Sequence, residues 1–217
     1  MTAVAFATAA TNSNVTPLHK LSPFPTTAAL ALEQASWTEL EATFLNGSMP
    51  DPDALVGWEF RGINRFPLPR LHLPELLGIK KFVKGFFRDV AREAGRAEAG
   101  RVMGYNCPVV QNVLDGRWHT KPSDTAPKRF GYYEVAAVDA TRRDNYYLHA
   151  VLLDYGRGGN QPWDPTSGLR DYLVQVDPAN PDLLLGKAYY ALGPARVRSN
   201  FFILERHRRG LTDYASR

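Results

Sequence analysis

The hydrophobic positions change period once along the chain, at Pro50-Asp51-Pro52. Ahead of that break, Leu30, Leu32, Trp37, Leu40, Phe44 and Leu45 recur near helical spacing, Thr26 or Thr27 is available to cap, and Asn46-Gly47 supplies a stop. The spacing predicts a helix over 27–45. Behind the break, short β-favouring runs alternate with turn residues: 54–62, 80–90, 101–110, 129–139, 146–155, 171–177, 184–192 and 196–208. Leu73 to Gly78, after a proline-rich stretch, reads as one helical turn across a barrel mouth.

Beyond residue 90 no gap between runs holds the dozen or so helical residues that a parallel crossover needs, so the strands pair antiparallel. An open sheet of eight strands would leave two edges and an apolar face bare, whereas closure removes both edges. The expected fold class is therefore mainly all-β: an antiparallel up-and-down barrel of about eight strands with an N-terminal helix. Residues 1–26 read as an extended or disordered lead, 27–209 as a single domain and 210–217 as a tail.

The first strand run carries Leu55-Val56-Gly57-Trp58-Glu59-Phe60-Arg61-Gly62, and the last carries Asn200-Phe201-Phe202-Ile203-Leu204-Glu205-Arg206. With Leu184-Leu185-Gly186-Lys187-Ala188-Tyr189-Tyr190, over about residues 54–208, they resemble the calycin superfamily of lipocalin-like and fatty-acid-binding-like barrels. The resemblance implies a tryptophan near the closed end of the barrel with an arginine from the last strand across its ring. Here the glycine and tryptophan are adjacent, and the pair is Trp58 with Arg206, neighbours in a closed meander.

Composition narrows the functional classes. A chain of 217 residues, 44% hydrophobic and 22% charged, supports one packed core, and a net charge of +4 spread over many segments does not argue for nucleic acid. The basic groups Lys80-Lys81, Arg142-Arg143, Arg196-Arg198 and Arg206-Arg209 lie on different runs among acids, as a solvated surface does. Cys107 is the only cysteine, so no internal disulfide forms; its expected role is that of a buried small hydrophobe, and a reducing, cytoplasmic location is expected. The apolar opening MTAVAFATAA has no basic residue in front of it, unlike a secretory signal. No run reaches the roughly 20 apolar residues of a membrane helix.

For chemistry, the densest stretches are Gly131-Tyr132-Tyr133-Glu134 and Asn145-Tyr146-Tyr147-Leu148-His149 across a hairpin. Strand alternation separates Tyr146 and Leu148 from Tyr147 and His149; with the second pair inward, Tyr147, His149 and Glu134 fix the polar end of an apolar ligand. Phe60, Tyr133, Tyr147 and Leu173, or their strand neighbours, are the expected apolar lining. The competing reading is that these tyrosines simply straddle surface and core. The expected function is binding of a small hydrophobic or amphipathic molecule. Two readings stand beside it: a barrel enzyme using Tyr147, His149 or Glu134 in acid-base chemistry, and an interaction domain presenting the helix 27–45. No metal motif is present and no cofactor is expected, although His149 and His207 are the positions at which to test a haem bound through one histidine, as the resemblance implies. Gly156-Arg157-Gly158-Gly159-Asn160 runs into Pro162 rather than a helix, so it reads as a loop and not a phosphate cradle. No Gly-x-Ser-x-Gly elbow occurs.

Overall fold

A computed structural model describes residues 21–66, 79–89, 100–161 and 163–214. Eight strands run as an antiparallel meander: β1 (Trp58–Arg65), β2 (Lys81–Asp89), β3 (Arg101–Pro108), β4 (Phe130–Ala137), β5 (Val151–Asp154), β6 (Leu169–Asp177), β7 (Asn180–Leu192) and β8 (Ala195–Arg209). Each pairs with the next, and β1 pairs with both β2 and β8, so the barrel closes. A two-residue strand, β9 (Asp213–Tyr214), adds parallel to the end of β2. The up-and-down barrel expected from the runs is the architecture found. The turn expected at 73–78 lies outside the described residues.

Two boundaries differ from the sequence expectations. The helix expected over 27–45 is two helices, α1 (Thr27–Gln34) and α2 (Trp37–Asn46), because Ser36 opens a new N-terminus. Its hydroxyl accepts from the Glu39 N–H while the Glu39 carboxylate accepts from the Ser36 N–H, a capping box that outweighs the continuous apolar period. Residues 54–57 are not strand either, since α3 (Pro52–Leu55) precedes β1, capped by Asp51 with proline in its first turn.

Alternation along the strands gives the barrel two cores. Phe60, Phe86, Val102, Tyr133, Val135, Leu153, Leu173, Leu184, Phe202 and Leu204 point inward and line the lumen. Room for the rings comes from glycines: a Cβ on Gly62, Gly104 or Gly186 would stand under 3.0 Å from the rings of Phe82, Tyr133 and Phe202. Opposite-parity residues, among them Ile63, Val83, Met103, Cys107, Leu185 and Ile203, form an outer core beneath Ala29 of α1, Leu40 and Phe44 of α2, and Trp118 of the β3–β4 excursion. Helices lying on the outer face explain why strands of a closed barrel are buried on both sides. Arg61 and Glu205 are buried on that face, 2.8 Å apart, and Glu205 also accepts from the Thr26 N–H at the start of α1. Among the described residues no helix is long and apolar enough to cross a membrane.

Candidate functional site

The end of the barrel where β1 begins is closed by α3. Leu55 enters the lumen core there, with Trp58 packed on the same cluster. The Arg206 guanidinium carbon stands 4.6 Å from the Trp58 ring centroid and that of Arg209 stands 3.6 Å from it, so the indole meets two cations. Arg206 is held by Asp182 at 2.5 Å and donates to the Ala54 carbonyl of α3 at 3.4 Å. This end is a structural seam.

In the middle of the lumen, β2 turns Lys84 inward between Phe82 and Phe86, and β6 turns Asp171 inward beside Leu173. Both side chains are almost wholly buried, 3% and 5% exposed, and Lys84 Nζ lies 3.2 Å from Asp171 Oδ2. Lys84 also donates to Asn106 Oδ1 at 3.1 Å and to the Tyr155 hydroxyl. Tyr155 reaches the lumen because the chain leaves β5 in a 3-10 turn, Tyr155–Arg157, capped by Asp154. Its hydroxyl donates to Asp171 Oδ2 at 3.2 Å and accepts from Asn106 Nδ2 at 3.2 Å. The rings of Tyr133, Tyr155 and Phe202 stand 4.6, 4.9 and 5.3 Å from Nζ. Asp171 Oδ1 has no hydrogen-bond partner among the described residues, although buried.

Burial drives the electrostatics here. It pushes the Lys84 ammonium below its usual range, against the pull of Asp171, and lifts the Asp171 carboxyl above the usual carboxylate range, against Lys84 and Tyr155. Both shifts favour a neutral pair. The phenols of Tyr133 and Tyr155 are held well above their ordinary values, burial first and Asp171 second. A lysine, a carboxyl, a phenol and an amide thus meet among apolar rings, a set able to donate, accept and relay protons.

Of the six residues expected from the sequence to bind ligand, the structure brings Phe60, Tyr133 and Leu173 together in this lumen. Glu134, Tyr147 and His149 lie outside it. Glu134 has the opposite parity to Tyr133 and pairs on the outer wall with Arg101 and Arg157, both at 3.0 Å. It borders a surface cavity of about 270 Å³, with Asp139, Arg142, Asp144, Leu152 and Asp154. Strand β5 starts only at Val151, so residues 146–149 follow no strand alternation. Tyr147 packs edge-on against Phe44 at 5.0 Å and accepts from Lys187 Nζ at 2.6 Å. His149 donates from Nε2 to the Phe44 carbonyl at 3.1 Å, and so fastens α2 to the wall. Glu134 and His149 therefore do not share a site. His207 also lies on the outer wall, beside Arg61 and Arg208. Among the described residues no three metal-ligating side chains cluster.

Sequence reasoning passed over Lys84, Asn106 and Tyr155, and named no acid-base pair for Asp171. A signal existed: Lys84 shares its parity with Phe82 and Phe86, a charge on an apolar face of a strand, and Asp171 stands likewise to Leu173. The partnership between them had no local trace, since 87 positions separate the two. No protein-family model, curated protein or solved structure matches the chain.

Proposed function

We propose that this barrel is a calycin-like binding protein whose lumen takes a small, mostly apolar molecule with its polar end against Lys84, Asp171 and Tyr155. The observation that carries the reading is the buried lumen carboxylate with one unpartnered oxygen. A buried polar atom with no partner costs roughly 1–3 kcal/mol, and a buried ion pair is commonly no more stabilising than an apolar replacement of equal volume. A chain that keeps both in the centre of its barrel has a use for them beyond packing. The rings of Phe60, Phe82, Tyr133 and Phe202 supply the apolar contacts, and the seam at Trp58 with Arg206 and Arg209 closes one end. In this reading the outer-wall groups are structural, the partner is a small molecule rather than nucleic acid, and a lone buried Cys107 suits a reducing, cytoplasmic setting.

Native mass spectrometry of the purified chain, with a titration by N-phenyl-1-naphthylamine, tests the reading. A saturable one-to-one emission rise is expected. Ala188→Leu, which adds volume beside Asp171 in the register of β6 with β7, should abolish it, and Glu134→Gln on the outer wall should not. A folded wild type that neither carries a small molecule nor enhances the probe would overturn the proposal, as would equal enhancement in Ala188→Leu.

A further inference from the structure

We infer that Lys84 is a covalent carbonyl-capture site, forming an imine with an aldehyde or ketone at the polar end of the lumen ligand while Tyr155 and Asp171 move the protons. The inference rests on the binding reading above and adds the ligand's functional group and the bond that holds it. Three lysines on the strands are buried, and their surroundings separate them. Lys81 lies on the outer wall with Nζ 3.7 Å from the Trp118 ring centroid, donating to Asn112 and to the carbonyls of Val113 and Arg117. Lys187 lies under α2 against Glu41 and Tyr147. Both are locked to partners that fasten surface elements. Of these three only Lys84 faces the lumen, and beside the Asn106 amide its partners are a phenol and a carboxyl, the pair that imine formation requires.

An amine attacks a carbonyl only when neutral, and an apolar chamber is where a lysine loses its charge most readily. The proton it sheds passes to Asp171, whose Oδ1 is free to receive it while Oδ2 stays bonded to Tyr155. Nζ then forms the C–N bond as the carbonyl π pair moves onto oxygen. The Tyr155 hydroxyl gives its proton to that oxygen and takes one back from the nitrogen, leaving a neutral carbinolamine. Asp171 returns its proton to the carbinolamine hydroxyl, which departs as water as the C=N bond forms. The products are water and a protonated imine facing the Asp171 carboxylate, with no oxidant or reductant consumed. The aromatic rings around Nζ then stabilise the cation that remains.

The test is incubation of the folded chain with 2-naphthaldehyde, trapping with sodium borohydride, and peptide mapping by mass spectrometry, alongside displacement of N-phenyl-1-naphthylamine. The expected result is reduced adduct concentrated on Lys84 ahead of Lys81, Lys187 and the surface lysines. Tyr155→Phe, which keeps the ring, should slow trapping by about 100-fold, the contribution typical of a positioned proton donor. If the aldehyde displaces the probe but labels Lys84 no faster than surface lysines, the covalent inference falls and lumen binding stands. If it neither displaces the probe nor labels Lys84, both fall. Wild-type mapping alone decides the point should the variant fail to fold.

Discussion

Removing one member of the Lys84–Asp171 pair should cost far more than removing both, and the cost should depend on pH. Lys84→Met takes away three donated contacts and leaves Asp171 with the Tyr155 hydroxyl as its remaining described donor. Breaking a buried pair in this way typically costs 3–5 kcal/mol. An independent bound comes from protonation. A stranded carboxylate escapes by taking a proton, and at pH 7, from an unfolded value near 3.9, that costs about 1.4 kcal/mol for each of roughly three units, or about 4 kcal/mol. The two figures agree. The sign follows from the raised folded value: with Asp171 protonated in the native state, stability is intact below about pH 3.9 and is lost as pH rises toward the folded value. The penalty of Lys84→Met relative to wild type should therefore shrink to about 1.5 kcal/mol at pH 5. The double variant Lys84→Met with Asp171→Leu should return close to wild type, because no charge is left to desolvate. Urea unfolding of the four proteins near pH 5 and pH 7 reads all of this as a double-mutant cycle. A single variant costing under about 1 kcal/mol at both pH values, or a double variant as unstable as the sum of the singles, would refute the burial argument.

Two further outcomes follow from the fold. Gly186→Ala should destabilise by about 1–3 kcal/mol, since its Cβ would stand under 3.0 Å from the Phe202 ring. Gly193→Ala, with φ at +57° and nothing within 4 Å, should lose only the roughly 1–2 kcal/mol of left-handed strain. Calorimetric melting of both checks the order, and a milder effect at Gly186 would contradict the close packing of the Phe202 ring on that glycine. On the outer wall, burial first and then Arg61 and Arg208 hold the His207 imidazole down to about 4, opposed by Asp124 and the Trp118 backbone. The native state stays neutral while the unfolded chain protonates, so stability is full above about pH 6.5 and falls toward about pH 4, by on the order of 3 kcal/mol. His207→Gln should flatten that decline in melting temperature against pH; parallel profiles would sink the assignment.

Much of the fold was legible in the chain. Strand runs, the absence of crossover helices and the economy of closure led to an eight-stranded meander, because each depends on local period and on edges that must be satisfied. Some local chemistry was legible but underweighted: Ser36 followed by Glu39 is a capping box, and it splits the helix that apolar spacing alone makes continuous. The aromatic density at 145–149 misled for a physical reason. Tyrosines suit a strand, yet Tyr147 and His149 are held in a loop by Lys187 and by the Phe44 carbonyl, partners far away in sequence.

By itself the sequence determined the antiparallel barrel, the helical lead and which residues within each run share a face, since a side-chain period of two is a property of the strand. Only the tertiary structure decided what that face encloses. Lys84, Asn106, Tyr155 and Asp171 come from four segments, and closure brings them within hydrogen-bonding distance of one another. Their chemistry depends on the low dielectric that the surrounding rings create, and that belongs to the packed barrel rather than to any stretch of chain.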